Sequence, residues 1–178
     1  MSQKDLDIEE IYNLYYKDVY HFCIYYTNNK HEAEDITQET FIKAMRNINS
    51  LKSIEKAKVW ILTIAKNTAI DYKRKMRRIS FLPSFFKEEQ SNAPSPEDRM
   101  VGQDSWEFIQ KALLKLKSQY RSILILRGIK EYSTEETAEI LGISEEKVRL
   151  NYHRAKTYLK REVGPLEEGW ERINERKQ

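Results

Sequence analysis

The chain has 178 residues, 33% of them charged and 40% hydrophobic, with only 5 glycines and 4 prolines. That is the profile of a soluble, helix-rich protein of one ordinary domain or two small ones. No apolar run approaches the roughly 18 residues that would suggest a membrane span, so no membrane insertion is expected. The polar, acidic start MSQKDLDIEE lacks the apolar core of a signal peptide. A single cysteine, Cys23, excludes an internal disulfide, and together these features favour the cytoplasm.

The net charge of +3 is modest, but its distribution is uneven. Lys56, Lys58, Lys66, Lys73, Arg74, Lys75, Arg77 and Arg78 stand against Asp71 alone, and residues 147–161 form a second basic cluster. An acidic stretch with Glu88, Glu89, Glu97, Asp98 and Asp104 lies between them. Two basic surfaces with an acidic spacer suggest two contacts with one polyanion.

Taken in chain order, residues 7–26 read as a first helix. Ile8, Ile11, Tyr15, Val19, Phe22, Cys23 and Tyr26 recur on one face. Asn28 and Asn29 break it. Residues 31–46 read as a second helix, with Ala33, Ile36, Thr40, Phe41 and Ala44 inward and Glu32, Asp35 and Glu39 outward. Residues 47–53 read as a polar loop. Residues 55–76 form a third helix, buried along Ile61, Ile64, Ala65, Thr68 and Tyr72. Three amphipathic helices suffice for a small bundle. Residues 80–104 carry Pro83, Pro94 and Pro96 and read as a flexible linker, with an apolar patch at Phe81, Leu82, Phe85 and Phe86. A second domain spans 105–165. Trp106, Ile109, Leu113 and Leu116 line its first helix, and Tyr120, Ile123, Leu124 and Arg127 its second, which Gly128 is expected to end. Residues 166–178 read as a polar tail. The expected fold is all-α, in two small domains.

The run STEETAEILGISEEKVR, residues 133–149, has the plan of a helix-turn-helix. Ser133 caps a short helix, with Glu136 completing a capping box. Ala138 permits close packing, Gly142 makes the turn, Ile143 plugs the corner and Ser144 starts a long helix. That helix turns Val148, Tyr152, Ala155 and Leu159 inward. Its exposed face bears Lys147, Arg149, Asn151, His153, Arg154 and Lys156. Arg can bridge guanine acceptors, Asn and His can bond base edges, and Lys secures phosphates.

Two further stretches carry a resemblance. EDITQETFIKA, residues 34–44, resembles the polymerase-gripping part of region 2 of sigma-70-type factors. WILTIAKNTAIDYKR, residues 60–74, resembles the part that reads the −10 element and melts DNA, and the helix-turn-helix resembles the −35-reading region. Order, spacing and length resemble the extracytoplasmic-function (group IV) sigma factors. The resemblance implies a region 2-like domain over residues 1–79 and a region 4-like domain over 105–165. It implies initiation at specific promoters, in response to an envelope or other external stress. The implied partners are core RNA polymerase, promoter DNA (duplex at −35, single-stranded at −10) and an anti-sigma factor. Asp35, Gln38 and Glu39 would dock on polymerase. Lys43, Asn47, Leu51, Thr63, Asn67 and Asp71 would form the −10 pocket for a flipped base, and Lys73, Arg74 and Arg77 would hold phosphates. Leu150, Asn151 and His153 depart from the commoner residues of the −35 helix. Trp60, at the start of an amphipathic helix, reads as a packing residue.

The helix-turn-helix alone also fits a one-component regulator acting without polymerase, which the melting-region resemblance disfavours. His21, His31 and His153 are scattered, and no nucleophile–base pair or glycine-rich phosphate loop is visible. Neither an enzyme, a metal site nor a cofactor is expected.

Overall fold

The structure, a computed structural model, describes residues 8–80 and 103–163. The linker's apolar residues Phe81, Leu82, Phe85 and Phe86, the acidic stretch 88–98 and the tail 166–178 lie outside the described residues, as does the side chain of Trp106. Seven α-helices appear in the described residues, with no strand among them: α1 (Ile8–Thr27), α2 (Lys30–Arg46), α3 (Ala57–Ser80), α4 (Gln103–Lys115), α5 (Ser118–Ile123), α6 (Thr134–Leu141) and α7 (Glu145–Val163). The all-α expectation holds.

Helices α1, α2 and α3 pack mutually. Ile11, Val19, Phe22, Cys23 and Tyr26 from α1 meet Ala33, Ile36 and Ala44 from α2 and Ile61, Leu62, Ala65 and Ala69 from α3. The break between α1 and α2 is sharp because Asn28 takes a left-handed φ of 52°. Asn29 then caps α2, its side chain accepting from the Glu32 N–H at 3.0 Å. Such a cap satisfies an otherwise orphaned donor of the first turn. Two short 3-10 turns, Ile48–Ser50 and Ile54–Lys56, lead into α3.

In the second unit, Ile109, Ala112, Leu113 and Leu116 of α4 close on Leu124 and on Ala155 and Leu159 of α7. One expectation fails here. Gly128 does not end the helix after Tyr120: α5 continues as a π-helical turn over Leu124–Ile129, and Gly128 is buried inside it. Its bare Cα faces the Tyr152 ring, whose hydroxyl would lie 3.6 Å from an added Cβ. The glycine admits a neighbouring aromatic, and the left-handed residue that turns the chain is Glu131, at φ 57°.

The two units are also less separate than a pair of linked bundles. Ile125, Leu126, Tyr132 and Ile140 belong to the core of α1–α3, and α6 packs directly on α3. The reason is local. The π-turn presents Leu124 to its own small core while its neighbours Ile125 and Leu126 point the other way, so one short segment serves two apolar clusters.

Candidate polymerase and nucleic-acid interfaces

Asp35, Gln38 and Glu39 all lie exposed on α2. Asp35 and Gln38 border a groove of about 770 Å³ between α1 and α2, whose walls include Tyr12, Tyr16, Glu34, Phe41 and Met45. Glu39 lies outside it and approaches Lys43 at 3.6 Å. Tyr12 meets Phe41 edge-on at 4.8 Å and Tyr16 at 5.1 Å between ring centroids. Tyr12 and Met45 stay 44% and 56% exposed, so the groove offers aromatic surface to a partner. Burial, Tyr12 and the charge of Glu34 push the Tyr16 phenol up, and it remains neutral. The first helix thus has two faces. Tyr12, Tyr16 and Tyr20 recur at four-residue spacing beside the Ile11–Val19–Phe22 stripe, and this second aromatic row was the overlooked signal.

Among the residues expected to capture a single strand, Lys43 lies half-exposed and donates to Thr68 Oγ1 at 3.3 Å, linking α2 to α3. Asn47 caps α2, its Nδ2 donating to the Lys43 carbonyl at 2.8 Å. Ser50 Oγ donates to the Asn47 carbonyl, and Trp60 Nε1 donates to Ser50 Oγ at 3.0 Å. Trp60 is therefore a packing residue that pins the loop. Asn67, Asp71, Arg74 and Arg77 stand exposed along α3, with Asp71 and Arg74 paired at 3.4 Å.

Three of the expected residues are used differently. Leu51 is 7% exposed and belongs to the α1–α3 core; it supports the loop from beneath rather than facing a base. Thr63 donates its hydroxyl to the Val59 carbonyl, one turn back. Lys73 is bound to Glu32 of α2, both side chains being mostly covered, so it ties α3 to α2 instead of projecting towards phosphate. The basic run likewise divides. Lys56 and Lys58 pair with Glu139 and Glu136 of α6 at 3.0 and 3.7 Å, and burial lowers the Lys66 ammonium. The exposed cations of α3 are those of its last turns, Arg74, Lys75, Arg77 and Arg78.

The helix-turn-helix forms as its sequence dictates. Ser133 and Glu136 complete a reciprocal capping box. Gly142 adopts φ +66°, with its N–H directed to the Ala138 and Glu139 carbonyls, a left-handed helix end that glycine reaches without steric cost. Ser144 Oγ accepts from the Lys147 N–H at 3.3 Å. Val148, Ala155 and Leu159 are buried, and Tyr152 is half-buried. At about 100° per residue, Leu150 points away from this stripe, with His153 and Arg154 on either side of it. Arg149 is beside them, paired with Glu145 at 3.2 Å. Lys147 is also exposed. Asn151 and Lys156 flank the buried stripe and are half-covered, Lys156 lying 4.8 Å over the Tyr152 ring. The six expected residues thus share one helix but not one face.

Known proteins share these features. Residues 11–79 match Sigma-70 region 2, and residues 108–159 match Sigma-70 region 4. The chain is 34% identical over 165 residues to the RNA polymerase sigma factor YlaC of Bacillus subtilis, with 92% of this chain and 95% of that protein covered. It is 32% identical to the ECF RNA polymerase sigma factor SigW of the same organism, with 88% and 89% covered. The sigma factor RpoE of Bartonella quintana, solved in complex with the anti-sigma factor NepR, superposes with a TM-score of 0.70 at 25% identity. That superposition covers 87% of this chain and 95% of the other, and so takes in both units. A one-component regulator would need no counterpart of α1–α3, where the region 2 match lies. The chain belongs to the sigma-70 family of transcription-initiation factors, as an ECF RNA polymerase sigma factor.

Proposed function

We propose that the surfaces described above divide the work of initiation among them. The α1–α2 groove docks core polymerase: Asp35, Gln38 and Glu39 supply acidic and polar contacts, and Tyr12, Tyr16, Phe41 and Met45 supply apolar area. Charge-assisted contacts to Arg or Lys orient a partner helix, while desolvated aromatics carry most of an interface's binding energy. Lys43, Asn47, Asn67 and Asp71, with Arg74 and Arg77, form the −10 surface over residues 1–79. Arg149, His153 and Arg154, with Lys147 nearby, read the −35 element from the domain at 105–165. Leu51, Thr63 and Lys73 position that first surface. An anti-sigma factor is a fitting further partner, as NepR is for the Bartonella quintana factor, and the chain acts in the cytoplasm with polymerase.

The observation that carries this reading is the coexistence in one chain of an exposed acidic–aromatic groove on the region 2 unit and an exposed basic helix on the region 4 unit. Run-off transcription with purified core polymerase on genomic fragments tests it: a promoter-specific transcript is expected, and none would overturn it. Asp35→Lys with Glu39→Lys is expected to abolish co-elution with core polymerase while the circular dichroism spectrum stays unchanged, since both residues are exposed. Unaltered co-elution would move the docking surface elsewhere.

A further inference from the structure

Leu150 stands at the centre of the outward face of α7 and is 48% exposed. The buried stripe of Val148, Ala155 and Leu159 lies on the opposite side of the helix, so Leu150 has no core of its own to fill. Its surroundings are polar. Lys147 and Arg154 lie on one flank, Arg149 and His153 on the other, and Glu146 one turn before it, all exposed. A lone exposed leucine is ordinary on a protein surface. This one is set apart by its place. It lies in the second turn of the second helix of the helix-turn-helix, and the N-terminal residues of that helix are the ones that reach base edges.

The chemistry of the neighbours narrows what this point of the helix can face. A carboxylate and an apolar side chain are both poor company for phosphate oxygens. Glu146 and Leu150 therefore belong over bases, with the cations of the flanks towards the two backbones. In the major groove the edges of guanine, adenine and cytosine offer hydrogen-bonding groups, which a leucine cannot answer. Thymine presents an apolar group there, its C5 methyl. Covering that methyl with Leu150 removes both apolar surfaces from water, which is favourable. A cytosine at the same point would bring its amine against the leucine and lose a hydrogen bond to water, which is costly.

We infer that Leu150 is a specificity-determining residue, which reads the C5 methyl group of one thymine in the −35 element. The inference rests on the −35 reading of α7 and deepens it: besides hydrogen-bonding to bases, the helix selects an A·T pair at one fixed point by an apolar contact. Leu150→Ala removes the apolar reader at an exposed position, so the fold is expected to survive, and circular dichroism checks that it does. Leu150→Gln is a second variant, which keeps a long side chain of good helix propensity but carries an amide in place of the methyl groups.

The test uses the full-length chain assembled with core polymerase, titrated against a promoter first located by run-off transcription. Each thymine of the −35 element, on either strand, is replaced in turn by deoxyuridine, which removes only the methyl group. At one position the replacement is expected to weaken wild-type binding about threefold to fivefold, the order set by burying a single methyl group. The same replacement should leave the binding of Leu150→Ala and Leu150→Gln nearly unchanged, while Arg154→Ala keeps the wild-type response. Crossing the side-chain change with the methyl change isolates the contact between them and cancels any effect of uracil on the duplex itself. An element without thymine, a wild type indifferent to every deoxyuridine, or Leu150 variants as sensitive as wild type would overturn the inference while promoter-specific transcription stands. A loss in the Leu150 variants that is the same with and without the methyl would place the leucine against a protein partner, and overturns it as well. Failure of the wild type to transcribe from any fragment overturns the −35 reading itself, and this inference with it.

Discussion

The two units differ in how they achieve burial. Helices α1–α3 bury Ile11, Phe22, Tyr26, Ile36, Ile61 and Leu62 almost completely, chiefly against one another. Helices α4–α7 close only a small cluster of their own around Leu113, Leu124, Ala155 and Leu159, and place Ile125, Leu126, Tyr132 and Ile140 in the neighbour's core. A small helical unit exposes a large share of its apolar surface unless something covers it. The first unit supplies most of its own core, and the second buries part of its apolar surface against the first. In a chain built this way, damage to the first core is expected to reach both units, and damage to the second chiefly its own.

The largest expected effect separates the units directly. Ile61→Ala, at a fully buried position of α3, should cost about 2–5 kcal/mol and release both units to hydrogen exchange, because the second loses its support. Leu126→Ala removes a comparable buried side chain, yet should leave α1–α3 protected while α4–α7 exchanges faster. Equal loss of protection in both units would erase the distinction. Next in size, Arg154→Ala on the outermost face of α7 should weaken binding to the cognate promoter by about 1–3 kcal/mol if it bridges a base. An equal loss on scrambled DNA would reassign it to phosphate.

Gly142→Ala should destabilise the α6–α7 turn by about 1–2 kcal/mol, the cost of a side chain in the left-handed region. No atom lies within 4 Å of the added Cβ, so Gly142→Asn should recover part of that loss in thermal melts. The smallest effect concerns Cys23. Burial pushes its thiol up to about 12, so the fold holds it protonated. This contribution is fully present below the unfolded thiol's pKa of about 8.5 and is lost as pH rises through that value towards 12. Cys23 should resist alkylation in the folded chain at pH 8, and Cys23→Ala should soften the alkaline decline in stability. Rapid alkylation without unfolding would contradict the burial.

Much of the molecule was legible beforehand because it depends on short-range chemistry. The breaks at Asn28 and Asn29, the Ser133–Glu136 box and the turn at Gly142 are each decided within a few residues, and all three form. The inward stripes of α1, α2 and α7 follow from helical periodicity. Tyr12 and Tyr16 fall outside the buried stripe that periodicity marks on α1, and form a second row beside it that stays partly exposed. Leu51 looked available because a polar loop surrounds it, but its aliphatic side chain had a core beneath it to fill.

The sequence by itself determined seven helices' worth of pattern, the caps of the last two, the helix-turn-helix and the two family regions in order. Only the tertiary structure decided that Lys73 binds Glu32, that Lys56 and Lys58 face α6, and that Gly128 makes room for Tyr152 inside a helix. It alone decided that the two units share a core. The reason is physical: a cap or a period is specified by neighbours along the chain. The partner of a lysine, or the destination of an apolar side chain on a helix with two apolar faces, is set by which surfaces meet across space.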